Sequence, residues 1–150
     1  MSADTAGIIV THASAVEQVV LAESTLQIHQ DGHALGSGLA LVGGSLEPRQ
    51  DGPPEHVHRR LVEIFHVVEG TLRLHSCGAH VDVAVGGTAS VPVGVPHTYS
   101  NPHDAPVRFL IATSSSDVPD LFRALRDTPP ASQRAVMEQH DTYVPEAPAR

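Results

Sequence analysis

The chain is 150 residues long, enough for one domain with a hydrophobic core of its own. Its formal charge is −8, its nine positive charges are all arginine, and hydrophobic residues make up 41%. An acidic chain with scattered arginines matches neither a phosphate backbone nor an anionic membrane, and without lysine it has no Schiff-base chemistry and no phosphate-binding P-loop. Cys77 is the single cysteine, so no internal disulfide forms. The N-terminus lacks a basic stretch followed by an apolar one, and no apolar run approaches a membrane span. A cytoplasmic protein is expected, with a small-molecule substrate and neither nucleic acid nor membrane as partner.

Along the chain, residues 7–10 and 17–21 offer short strands. From 26 to 112, β-rich segments follow one another at 35–46, 61–68, 71–75, 80–85, 89–93, 97–100 and 107–112. Asp31-Gly32, Asp51-Gly52-Pro53-Pro54, Glu69-Gly70, Cys77-Gly78, Gly86-Gly87 and Asn101-Pro102 punctuate them. Many short strands at this spacing predict an all-β sandwich or barrel. In the second segment Glu63, Phe65 and Val67 share one face, so if Glu63 points inward, His66 points outward. After Thr113 the pattern changes. Residues 114–117 offer an N-cap, Pro119 suits a first turn, and Val118, Leu121, Phe122 and Leu125 form one apolar stripe. Thr128-Pro129-Pro130 then ends this helix and starts a second, to about Gln139. The chain divides into an N-terminal extension (1–24), a β unit (25–113) and a helical cover on its outside (114–150).

The chemistry lies in His56-x-His58, Glu63 and His97. Two histidines at i and i+2 of an extended segment face the same way, with Cα atoms roughly 6.5 Å apart. Their imidazoles can converge on one ion, and a carboxylate and a third imidazole from other strands complete the set. Such donors suit Fe, Mn, Ni, Cu or Zn about equally, so the metal is a divalent transition ion of undetermined identity. The plainer reading is a barrel whose site holds no metal, or holds one without reacting. His75-x-Cys77-x2-His80 could pass for a second zinc cluster; a hairpin turn at Cys77-Gly78 with surface histidines is favoured. Histidines 12, 29, 33, 66, 103 and 140 are expected on surfaces or at a subunit interface, and Arg59-Arg60 as a solvated pair or a gate over anionic substrates.

The segment His56-x-His58-x4-Glu63-x6-Gly70 resembles the first motif of the cupin family, and Gly86-x5-Pro92-x-Gly94-x2-His97-x3-Asn101 resembles the second. Two departures stand out: Gly52 lies two residues nearer His56 than the family's first glycine, and His66 holds a position often aromatic in relatives. The tail, with Phe122 and residues 137–148, is similar to that of small single-domain cupins like quercetin 2,3-dioxygenase.

The resemblance implies a jelly-roll cupin barrel (a double-stranded β-helix) with two short C-terminal helices, pairing as a homodimer. It implies His56, His58, Glu63 and His97 as metal ligands, with two coordination positions left open. Gly94 and Pro92 belong to the turn that swings His97 over the site, with Asn101 bonding backbone to hold it. Glu63 is expected as ligand and base. Tyr99, sharing parity with His97, is either a catalytic acid or a core aromatic. The implied activity is a metal-dependent dioxygenase acting on an enolisable or aromatic substrate. The alternatives are a non-redox polyketide cyclase, isomerase or decarboxylase, and a non-catalytic ligand-binding module. Aromatic residues at 3%, with no Trp, count against a large flavonol.

Overall fold

The computed structural model describes residues 2–3, 7–22 and 24–146. Strand follows alternation most plainly in β7 (Glu63–Glu69), where Glu63, Phe65 and Val67 are buried and Ile64, His66 and Val68 exposed. His66 therefore does face outward, as parity required. β12 (Val107–Thr113) repeats the pattern with Val107, Phe109, Ile111 and Thr113 inside. The two pair antiparallel at the heart of a six-stranded sheet.

In chain order the remaining strands are β1 (Ser2–Ala3), β2 (Ile9–Val10), β3 (Glu17–Leu21), β4 (Ser24–Gln30), β5 (Ala40–Leu46), β6 (Gln50–Asp51), β8 (Thr71–Ser76), β9 (Ala79–Ala84), β10 (Thr88–Val91) and β11 (Thr98–Asn101). The large sheet runs β10-β7-β12-β5-β4-β3, the smaller one β6-β11-β8-β9, and β1 pairs with β2. Phe65, Val67 and Phe109 from the large sheet and Leu72 and Leu74 from the small one join in a single core. The jelly-roll fold expected from the sequence is present. It is built as two facing sheets rather than one closed hydrogen-bonded ring, since among the described residues no ladder joins them.

Two strand expectations change. The segment 35–46 becomes strand only from Ala40, because positive φ at Gly36 and Gly38 bends the chain before it. Ser24–Gln30, passed over in the sequence, is a full strand between β3 and β5. Only Leu26 and Ile28 of its seven residues are buried, so its apolar signal is thin.

Both helices lie where the sequence places them: α1 (Asp117–Arg126) and α2 (Pro130–Gln139). The Asp117 N–H donates to the Ser115 hydroxyl at 3.0 Å, which ties the start of α1. Asp117 and Asp120 in its first turn and Arg123 in its last complement the helix dipole. α1 packs against β3 and α2 and buries Val118, Pro119 and Leu121. No helix among the described residues is long and apolar enough to cross a membrane.

Candidate metal centre

A pair of backbone bonds sets the ligands opposite each other. The His56 N–H donates to the His97 carbonyl at 3.0 Å, and the His97 N–H donates back to His56 at 2.8 Å. Gly94 donates to the His58 carbonyl at 2.7 Å, closing the turn over the same segment. β7 then delivers Glu63 from the facing sheet. The donor atoms of His56, His58, Glu63 and His97 all lie within 4.8 Å of one another, and all four residues are buried. The three ring centroids stand 4.5 to 5.3 Å apart. The four positions singled out in the sequence thus meet at one point.

The tautomers are set by what holds each Nδ1. His56 Nδ1 bonds the Pro54 carbonyl at 2.9 Å, His58 Nδ1 the Asp141 carbonyl at 2.9 Å, and His97 Nδ1 the Val95 carbonyl at 3.0 Å. A carbonyl only accepts, so each Nδ1 carries the proton and each Nε2 keeps a lone pair in the neutral ring. His58 Nε2 is buried without a hydrogen bond, 3.5 Å from Glu63 Oε2. An orphaned buried nitrogen among two further imidazoles and a carboxylate is a donor set that fits a divalent transition ion.

Electrostatics supports the same reading. Burial, with the charge of neighbouring His97, pushes His56 down to about 4, so it is neutral at pH 7. Burial raises the Glu63 carboxyl, but the adjoining His58 and His97 imidazoles outweigh it and hold the group at about 2. His58 moves the other way: burial lowers it, and the neighbouring Glu63 carboxylate more than compensates. His97 Nε2 stands 2.9 Å from Glu63 Oε2. With Nδ1 already donating, that contact is attractive only when a proton sits between the two atoms, in the space an ion would fill.

Tyr99 is also buried, and burial together with the Glu63 charge raises its phenol well above the ordinary value. Its ring packs on Phe109 at 5.0 Å and Phe65 at 5.8 Å. Phe65 stands beside His97 at 6.4 Å, on the inward face it shares with Glu63.

The site opens into a cavity of about 810 Å³. His56, His58, Glu63, Phe65 and Tyr99 line it, together with Leu121, Phe122 and Leu125 of α1 and Met137 of α2. The α1 stripe, which the sequence marks as core beneath an outside cover, also forms part of the cavity wall. Two Phe and one of the two Tyr face this space, so the scarce aromatics gather where a substrate would lie.

Other expectations need correcting. Asn101 does not hold the His97 turn; its amide donates to the Glu47 and Ala105 carbonyls at 3.0 and 2.8 Å and ties two neighbouring loops. Arg59 and Arg60 are exposed, as a solvated pair would be; Arg59 stacks on the Tyr143 ring at 3.8 Å, Arg60 approaches Asp141, and neither lines the cavity as a gate. Asp141 escaped sequence reasoning altogether, although its carbonyl holds His58. Nothing in an isolated His-Asp-Thr after a helix signals that role.

The fold and these four side chains together make a jelly roll with a donor set that could hold a metal ion. Residues 44–113 match the family described as Cupin domain. No curated protein matches the sequence. A sugar phosphate isomerase from a cupin superfamily of Silicibacter pomeroyi is 28% identical, with a TM-score of 0.51; the match covers 59% of this chain and 59% of that one. A polyketide cyclase of Streptomyces resistomycificus is 22% identical over 72% of this chain and 80% of its own, with a TM-score of 0.62. Oxalate decarboxylase of Bacillus subtilis is 20% identical over 67% of this chain and 28% of its own, with a TM-score of 0.56. The last two likenesses concern the fold alone.

Proposed function

We propose that the protein is a metal-dependent enzyme of small-molecule metabolism acting on a flat, enolisable substrate, most like a dioxygenase. One observation carries this reading: three pinned imidazoles and a carboxylate converge beside a largely apolar cavity of about 810 Å³ that His56, His58 and Glu63 line. That volume lies within the range of small-molecule sites, which combine apolar walls with a few fixed polar groups. Its aromatic walls answer the objection that the composition raises against a multi-ring substrate.

His56, His58, Glu63 and His97 would hold the ion. When bound, a divalent transition metal would supply Lewis acidity beside the substrate and, if redox-active, a route for electrons to dioxygen. Glu63 contributes a full negative charge there. Its depressed pKa suits a ligand better than a base, because a proton acceptor works best with a pKa near the operating pH. Tyr99 keeps its proton and serves as a hydrogen-bond donor to a substrate oxygen. Phe65, Phe122 and Leu125 orient the rings and exclude water.

The protonated Tyr99 beside the Glu63 anion also favours a second reading. A neutral donor next to a Lewis acid suits non-redox cyclisation or isomerisation, and a Streptomyces polyketide cyclase shares the fold. Oxygen uptake is to be measured with metal-loaded protein and enolisable polyphenols in air, with substrate loss followed in parallel under nitrogen. Uptake above that of His56→Ala supports the dioxygenase. Turnover under nitrogen with Zn(II) supports the cyclase or isomerase. Inert substrates in both atmospheres remove the enzymatic reading.

A further inference from the structure

His56 and His97 are held locally, each by a carbonyl two residues earlier in its own turn. His58 is different. Its Nδ1 partner is the carbonyl of Asp141, 83 positions away, in the segment that follows α2. Two of the three imidazoles are therefore oriented by the barrel, and the third by the tail.

Asp141 is built for that task. It is fully buried, has a φ of +53°, and is the acceptor for three consecutive N–H groups. Its carboxylate takes the Arg59 N–H at 3.1 Å, the Arg60 N–H at 2.8 Å and the Leu61 N–H at 3.1 Å. The nearest guanidinium, that of Arg60, stays 3.7 Å away, so backbone donors satisfy most of this charge. On either side the tail grips the same strand. Val57 and Tyr143 exchange two backbone bonds at 2.8 and 2.9 Å, and Arg59 stacks on the Tyr143 ring. Residues 56–58 thus run between two partners, with His56 bridged to His97 on one side and Val57 to Tyr143 on the other.

We propose that Asp141 is a positioning residue, coupling the docked C-terminal segment to the metal centre by clamping residues 59–61 while orienting His58. This rests on the proposed metal-dependent function and adds that the centre is complete only when the tail is seated. The coupling runs both ways: an ion that fixes His58 also fixes the tail, because any linkage between two sites is reciprocal.

The test is Zn(II) affinity at neutral pH, measured by chelator competition. Groups that orient a ligating histidine change metal affinity by roughly 10- to 100-fold when removed. Asp141→Ala is expected to weaken binding by that factor. Asp141→Asn, which keeps one acceptor oxygen and tolerates positive φ, should recover part of the loss. Val19→Ala, a destabilising change in the core outside the cavity, should bind within about twofold of wild type, as a merely structural effect would predict for all three. Should Asp141→Ala fail to fold, hydrogen exchange of wild type decides: the amides of residues 59–61 should exchange at least about tenfold more slowly with Zn(II) bound. Affinity of folded Asp141→Ala within twofold of wild type, or exchange indifferent to Zn(II), overturns the proposal. Wild type that binds no Zn(II) takes down the functional reading and this inference together; wild-type binding with an unaffected variant takes down only the latter.

Discussion

Two groups of histidines sit on this molecule, and only one makes a centre. At the cavity, His56, His58 and His97 have each Nδ1 engaged by a carbonyl and each Nε2 turned toward Glu63. At the β8–β9 hairpin, His75 and His80 are cross-strand partners with rings 6.0 Å apart. His75 Nε2 already bonds the Ser100 hydroxyl at 2.8 Å, and Cys77 lies exposed in the two-residue turn. Cys77 and Gly78 both have positive φ, the geometry of the tight hairpin favoured from the sequence. Proximity of donor-bearing residues is common to both places. What separates them is whether the donor atoms are buried and aimed at one another.

That contrast breaks most sharply at the ligands. His58→Ala should weaken Zn(II) binding on the order of a thousandfold, since the binding energy of a buried zinc site is shared among few ligands. His80→Ala should leave it unchanged. A loss of Zn(II) on His80→Ala would make the hairpin a site and overturn the comparison.

Acid offers the next largest effect. His56 titrates near 6.5 when unfolded and near 4 in the fold, so the stability it confers is complete above pH 6.5 and declines as pH falls toward 4. The decline is on the order of 3 kcal/mol at 1.36 kcal/mol per unit. Glu63 extends the loss at lower pH, its contribution fading from about 4.5 down to about 2. His58, whose folded value is raised, works in the opposite sense and loses its contribution as pH rises through that value. Urea midpoints of metal-free protein should therefore fall between pH 6.5 and 4, and His56→Phe should flatten that limb.

Glycines sharpen the comparison in a different way. A Cβ at Gly52 would strike the carbonyl and ring of Tyr99, whose backbone the Gly52 N–H also bonds at 3.0 Å. Gly52→Ala is expected to cost about 2–3 kcal/mol in urea unfolding. At Gly78 nothing stands within 4 Å and only the φ of +80° resists, so Gly78→Ala should cost about 1 kcal/mol. Smallest of all is Cys77→Ser, expected within about 0.5 kcal/mol of wild type, with Zn(II) stoichiometry unchanged.

Much of the centre was legible along the chain because its signals are local. The i, i+2 spacing puts His56 and His58 on one side, β7 alternation turns Glu63 and Phe65 inward, and Thr128-Pro129-Pro130 separates the helices. β4 was harder to see, since only Leu26 and Ile28 carry its apolar face and polar residues fill the rest. Asp141 was invisible for a stronger reason. Its importance comes from a carbonyl, which every residue has, and from three amide protons that lie 80 to 82 positions away.

Periodicity and residue type by themselves determined which side chains face inward, where the helices begin, and that His56 and His58 share one side. These are properties of a few neighbouring residues and survive without knowledge of the fold. Only the tertiary structure decided that the jelly roll stays two sheets, that the α1 stripe doubles as a cavity wall, and that the tail orients His58. Each of those depends on backbone groups meeting across long stretches of chain, and a peptide N–H or carbonyl looks the same in every sequence until folding gives it a partner.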